Sequence, residues 1–426
     1  MIIRPANALK GEITIPGDKS ISHRAVMFGA IADGITEIDG FLTGEDCLST
    51  IDCFRKLGIQ IEVLPNNKVR VHGKGPHGLQ APADTLYTGN SGTTTRLMLG
   101  LLAGQSFGSS LDGDASIRKR PMQRVIGPLQ RMGAKITGRD GGNLCPLTIQ
   151  GQPLHGIEYK LPVASAQVKS ALLLASLYAE GDTLLIEPAK SRDHSELMLN
   201  YLGAKIRVDN LNIRSTPISE LSARPIVVPG DISSAAYFMV AGLMLPHSEI
   251  TIKNVGINST RTGVIDVLKA MGGQIEIANY RRVNNEPMAD ITVKSSSLTG
   301  TTIEGSMIPR LIDEIPVIAV AASVAAGTTI VKDAGELKVK ESDRIQTVVT
   351  ELDKAGVDIR GTEDGMIING GRPIRGTHFE SYHDHRIAMA MAVAGLAADS
   401  ESHIHNAGAV DISFPGYFET LKSLRR

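Results

Sequence analysis

Charged and hydroxyl-bearing residues collect where this sequence starts its helices, and their spacing defines the chemistry on offer. In Pro16-Gly17-Asp18-Lys19-Ser20-Ile21-Ser22-His23-Arg24, a short apolar strand, Ile13-Thr14-Ile15, runs into a proline and a glycine. The proline cannot continue a sheet ladder, and the glycine permits a sharp bend. A helix is expected from about residue 20 to 32. Lys19 and His23 are four apart, as are Ser20 and Arg24, so these groups gather at its first turn. Free backbone N–H groups, cations and hydroxyls at a helix start form an anion site. They serve equally as a capped, solvated helix start, and this segment alone leaves both readings open.

Other helix starts carry similar groups. Gly89-Asn90-Ser91-Gly92-Thr93-Thr94-Thr95-Arg96 is a glycine-rich turn whose N–H groups suit a phosphate, although simple capping explains it as well. It lacks the Gly-Lys-Ser/Thr of a Walker A loop. Arg118-Lys119-Arg120-Pro121-Met122-Gln123-Arg124 holds four cations, for which a solvated charge run is the usual explanation. Ser165-Ala166-Gln167-Val168-Lys169 and Ser191-Arg192-Asp193-His194 offer further donors. In the second half, Asp313 and Glu314 interrupt a strongly apolar stretch, where a carboxylate is costly unless paired or lining a cleft. Lys340-Glu341-Ser342-Asp343-Arg344 and Asp384-His385-Arg386 mix both signs at helix starts. Two such sets, opposed across a cleft, would hold a doubly anionic substrate pair.

The elements that must position these groups come from the rest of the chain. Its 426 residues are 42% hydrophobic and 21% charged, the balance of a globular protein of two or three domains. A net charge of −1 argues against nucleic acid or an anionic membrane as partner. Tryptophan is absent and aromatics are few, which disfavours stacked-base recognition. Cys47, Cys53 and Cys145 form neither a disulfide framework nor a zinc motif. The first residues show no signal-peptide core, and the apolar runs 315–326 and 387–398 are too short to span a bilayer. A cytoplasmic location is expected, with no metal and no cofactor.

Repeats give the architecture. Pro16-Gly17-Asp18-Lys19-Ser20 returns as Pro229-Gly230-Asp231-Ile232-Ser233, half the chain later and without the cations. Amphipathic helices end at a glycine followed by a strand at Gly58, Gly133, Gly203, Gly272 and Gly356. Small-residue helices are expected at 25–32, 94–103, 166–179, 234–245, 312–326 and 386–397. Six units of roughly seventy residues follow. The last helix, 414–424, has no strands after it, so residues 1–15 are expected to complete the sixth unit. The prediction is an α/β protein of two domains, 16–228 and 229–426 plus 1–15, with chain crossings near 16 and 229. Each has three helix–strand–helix–strand–strand units, with the small-residue helices buried and the sheets outside them.

The segments 17–24, 89–93, 120–122, 340–344 and 384–386 occur in the order and wording of the 5-enolpyruvylshikimate-3-phosphate synthase family, which this chain resembles over nearly its whole length. The resemblance implies an α/β fold of two domains, each of three βαβαββ units, an inside-out α/β barrel with two chain crossings. It also implies transfer of the enolpyruvyl group of phosphoenolpyruvate to the 5-hydroxyl of shikimate 3-phosphate, releasing phosphate, on the way to chorismate and aromatic amino acids. By that pattern Lys19, Ser20, Arg24, Ser165, Gln167, Asp313 and Lys340 contact shikimate 3-phosphate, with Arg192 a further candidate. Lys19, Gly92, Arg120, Gln167, Arg344 and Arg386 contact phosphoenolpyruvate, and glyphosate commonly takes the same pocket. Arginine forks suit these carboxylates and phosphates. Asp313 is the expected base, and Glu341 and Lys19 the expected proton donors. Three positions depart from many members: Ala166 replaces a serine, Leu97 a proline and Ser413 a lysine. The rivals are the transferase acting on UDP-N-acetylglucosamine, whose reactive cysteine is missing from 118–124, and a non-catalytic repeat scaffold. A monomer is expected.

Overall fold

The computed structural model describes residues 1–426. Six helices in it have almost no polar flank: Lys19–Ala30, Gly92–Ala103, Ala166–Ser176, Ile232–Met244, Ile315–Val324 and His385–Leu396. Every residue of His385–Leu396 is buried, and so are Ile315 to Ser323 and Ile21 to Ala30. A helix apolar all round must be hidden from water on every side. The chain forms two compact units, Gly17–Val228 with Arg282–Glu286, and Met1–Pro16 with Pro229–Arg281 and Pro287–Arg426. Each contains three of these helices and its own apolar core.

Small side chains let the helices approach closely. A Cβ added at Gly100 would stand 1.9 Å from the carbonyl oxygen of Ala171 on the neighbouring Ala166–Ser176 helix. Amphipathic helices such as Glu45–Lys56 and Arg344–Lys354 alternate with the buried ones. All five glycines that end such helices have left-handed φ, from 80° at Gly356 to 108° at Gly203, as the cap requires.

The sheets lie outside the helices and remain open. One plan recurs: a short strand pairs in parallel with a second, which pairs antiparallel with a hairpin. Leu86–Tyr87, Gly108–Asp112, Leu144–Gln150 and Lys135–Gly138 show it in order, as do Thr302–Ile303, Thr328–Val331, Met366–Asn369 and Asp358–Gly361. The leading strand of each unit's first sheet comes from a stretch far away in the chain. Ile226–Val227 joins Asp33–Asp39, and Lys10–Thr14 joins Glu249–Gly256.

This corrects one expectation. Residues 1–15 do not all complete the sixth repeat. Only Ile2–Ile3 does, pairing with Ser402–His405, while Lys10–Thr14 serves the fourth repeat. The helix expected at 312–326 also starts late. Residues 311–314 form a turn, and Glu314 is the residue before the first helical one, so Asp313 lies in the turn.

The Gly100 contact predicts a sharp cost for one methyl group. Gly100→Ala should destabilise the Gly17–Val228 unit by at least the ~1–3 kcal/mol of ordinary overpacking. For a unit of this size that is a melting point lower by about 2 °C or more. Gly127→Ala, whose Cβ would have 3.6 Å to its nearest neighbour, is the control. Equal melting points for the two variants would contradict the packing described.

Candidate active site

In the Gly17–Val228 unit the three buried helices start with side-chain caps. Asp18 accepts the N–H of Ile21 (2.9 Å), Ser91 that of Thr94 (3.0 Å) and Ser165 that of Val168 (3.5 Å). The expected site residues sit on or beside these starts. Lys19 Nζ is 3.1 Å from Asp46 Oδ2. Gln167, the second residue of its helix, accepts from Arg96 Nη1 at 2.7 Å and donates to Thr93 Oγ1 at 3.3 Å. Arg120 donates to Asn90 Oδ1 at 2.7 Å. A Cβ built on Gly92 would meet Arg96 Nη1 at 2.9 Å and Arg120 Nη1 at 3.2 Å. Gly92, Arg120, Gln167 and Arg96 therefore make one cluster, in which two guanidinium groups converge on a bare backbone.

The charge run 118–124 is divided by the fold. Arg118 binds both carboxylate oxygens of Asp112, at 3.0 and 2.5 Å, and is half exposed, whereas Arg120 is buried in the cluster. Arg24 forms a second cluster. It donates to Ser195 Oγ (2.8 Å), Ser170 Oγ (2.7 Å) and the Ser20 carbonyl (2.9 Å). Burial lowers its pKa to about 10, against the pull of Glu196 and Asp18; the nearby charge of Arg192 pushes the same way as burial. Beneath it, buried Lys169 bridges Glu187 (3.0 Å) and Glu196 (2.7 Å).

The other unit, by itself, gathers acids around buried cations. Arg344 is 1% exposed at its side chain and is held by three carboxylates: Asp384 (2.8 Å), Asp313 (3.3 Å) and Glu341 (2.6 Å). Burial alone would lower its pKa; Asp384 and Glu341 overcome that and raise it well above the ordinary value. Arg386 donates to the Asp313 carbonyl at 3.2 Å and lies 3.8 Å from its carboxylate. Lys340 stands 3.9 Å from the same carboxylate. Asp313, Lys340, Glu341, Arg344 and Arg386 thus form one ionic network, with a carboxylate facing three cations.

Sequence reasoning omitted several members of these clusters. Arg96 closed a quoted motif and Asp384 opened one, so position at a helix start was the available signal. Ser170, Ser195 and Asp46 carry no local signal, because only the packing of distant segments brings them to Arg24 and Lys19.

His23 departs from expectation. It does not join the cations at the first turn but is fully buried, with Nδ1 2.7 Å from Thr50 Oγ1. Thr50 meets Thr94 (2.7 Å) and Thr94 meets Ser91 (2.7 Å), so this chain of hydrogen bonds braces the turn before Gly92. Burial pushes the imidazole pKa down to about 3, with Lys19 and Arg24 assisting and Asp46 opposing. The unfolded chain then takes up a proton below about pH 6.5 that the folded unit refuses. Stability is complete above that pH and falls as the pH drops toward 3, by roughly 2 kcal/mol at pH 5. Denaturant unfolding at pH 7 and pH 5 should show this loss in the parent, with a loss smaller by that amount in His23→Gln. The same pH dependence in both would contradict the assignment.

Comparison with known proteins places the chain in a family. The family model described as EPSP synthase (3-phosphoshikimate 1-carboxyvinyltransferase) matches residues 3–421. A protein of Desulforamulus reducens named 3-phosphoshikimate 1-carboxyvinyltransferase is 55% identical over 424 residues, covering 100% of this chain and 99% of its own. A namesake from Thermoanaerobacter sp. is 57% identical over 422 residues, covering 99% of each. A solved EPSP synthase from Acinetobacter baumannii aligns with a TM-score of 0.90 and 46% identity, over 100% of this chain and 98% of that one. With relatives this similar along its full length, the chain belongs to the EPSP synthase family.

Proposed function

We propose that the chain transfers the enolpyruvyl group of phosphoenolpyruvate to the 5-hydroxyl of shikimate 3-phosphate, and that the two clusters and the ionic network serve this one reaction. The observation that carries the reading is Asp313, a carboxylate set among Lys340, Arg344 and Arg386. The acceptor hydroxyl must lose a proton as it attacks C2 of phosphoenolpyruvate, and C3 must gain one. The resulting ketal phosphate then loses a methyl proton and inorganic phosphate, leaving the enol ether. Each step moves a proton or makes or breaks one C–O bond, with no change of oxidation state, so no cofactor is assigned.

Asp313 is the base. Glu341 and Lys19 are the proton donors, each beside a partner that keeps it in place. Lys19, Ser20, Arg24, Ser165, Gln167, Arg192, Asp313 and Lys340 are assigned to shikimate 3-phosphate. Lys19, Gly92, Arg120, Gln167, Arg344 and Arg386 are assigned to phosphoenolpyruvate. Transfer to UDP-N-acetylglucosamine is disfavoured because the three cysteines are buried and none lies in 118–124. A mere scaffold is disfavoured by the cost of burying Arg24, Arg344 and Arg386 without a use for them. No helix is long and apolar enough to cross a membrane. We place the enzyme in the cytoplasm as a monomer.

Two variants test these roles. Asp313→Ala should stay folded and lose turnover by roughly a hundred- to ten-thousand-fold, as for a missing general base. Near-normal release of phosphate would remove Asp313 from the mechanism. Gly92 opens its helix and is not among the glycines with left-handed φ, so alanine there brings no backbone strain. Its methyl would meet the tips of Arg96 and Arg120 instead. Gly92→Ala should weaken glyphosate, the longer anion, far more than phosphoenolpyruvate, with an unchanged melting point. Equal losses for both ligands together with a lowered melting point would overturn the steric role.

A further inference from the structure

Five of the six buried helices are capped by the side chain of the residue that precedes them: Asp18, Ser91, Ser165, Asp231 and Asp384. Glu314 is the exception. It occupies the cap position of the Ile315–Val324 helix, yet its carboxylate makes no cap hydrogen bond. The side chain is fully buried and turns elsewhere. Its Oε1 accepts a hydrogen bond from Ser233 Oγ and lies 3.9 Å from Arg261 Nη2 and 4.0 Å from Arg386 Nη1. Arg261 in turn donates to Ser233 Oγ (2.7 Å) and to Asp231 Oδ1 (3.2 Å).

Arg386 therefore rests against two successive residues. Asp313 offers its carbonyl at 3.2 Å and its carboxylate at 3.8 Å, and Glu314 its carboxylate at 4.0 Å. A carboxylate costs much to bury, and an uncapped helix start adds to that cost. A mere helix cap would not need this arrangement. Its geometry instead links Arg386 to the start of the Ile232–Met244 helix through Ser233, Arg261 and Asp231. Burial lowers the pKa of Arg386, but Asp313, Tyr237, Glu314 and Asp231 more than offset it, in keeping with a guanidinium balanced from more than one side.

We propose that Glu314 is a positioning residue: its charge, anchored by Ser233 and Arg261, holds the Arg386 guanidinium in place for the anionic substrate. This rests on the assignment of Arg386 to phosphoenolpyruvate above. Glu314→Gln keeps the shape and an oxygen for Ser233 but removes the charge. Arg386 then loses one of the charges that balance it and shifts toward Asp313.

The test is steady-state kinetics with each substrate varied in turn, beside thermal melting. For Glu314→Gln the KM for phosphoenolpyruvate should rise about tenfold, with that for shikimate 3-phosphate changed less than about twofold and the melting point nearly kept. Glu314→Asp, which restores the charge, should recover part of the loss. Ser233→Ala, which loosens the anchor only, should raise the same KM by a smaller factor. It decides the matter if Glu314→Gln does not fold. An unchanged KM for phosphoenolpyruvate, or equal rises for both substrates with a lowered melting point, would overturn the proposal. If the parent itself releases no phosphate from the two substrates, the functional reading fails and this inference falls with it; selectivity lost in the variants of an active parent refutes the inference alone.

Discussion

A helix that is apolar on every side can meet polar surroundings only at its ends. Three such helices in each unit fix the rest of this molecule. They must lie inside, so the half-polar sheets must lie outside, with one face of each strand on the helices and the other on solvent. The chain's polar chemistry is then pushed to the helix starts, where unsatisfied N–H groups favour anions and acidic caps. Lys19, Gly92 and Ser165 in one unit, and Asp313 and Arg386 in the other, sit at or next to such starts.

Charges placed there are largely withdrawn from water and cannot stand alone. Arg344 is tolerable because Asp384, Asp313 and Glu341 surround it, and Lys169 because Glu187 and Glu196 do. Removing one partner from such a set costs more than the pair contributes, since it strands the other charge. The same partners limit the freedom of the buried cations. The Arg24 guanidinium is held by two serine hydroxyls and a carbonyl. A guanidinium fork held rigidly in this way has the geometry that suits carboxylate and phosphate oxygens.

What could be read from the sequence follows from what is local. The glycine after each amphipathic helix announces a left-handed cap, and all five proved to have one. Small-residue runs announced the buried helices to within a few residues. Asp313 stood out because an acid in an apolar run demands an explanation. The rest depends on segments far apart in the chain. Nothing in Lys10–Thr14 says that it pairs with Glu249–Gly256. Spacing by four put His23 beside Lys19, but the pull of Thr50 and the surrounding core turned it inward. Arg118 and Arg120 look alike in sequence, and only Asp112 and Asn90 separate their fates. Glu314 looked like a second Asp313, yet it faces Ser233, more than eighty residues away by chain number.

The central claim is that these clusters catalyse enolpyruvyl transfer by addition and elimination, which breaks the C–O bond of phosphoenolpyruvate and leaves the P–O bond intact. Phosphoenolpyruvate carrying oxygen-18 in the C–O–P bridge tests this directly. With the full chain and shikimate 3-phosphate, the label should appear in the released phosphate, and the product should be an enol ether that keeps the acceptor's own oxygen. Label found in pyruvate, or phosphate released without any need for the acceptor, would contradict the account.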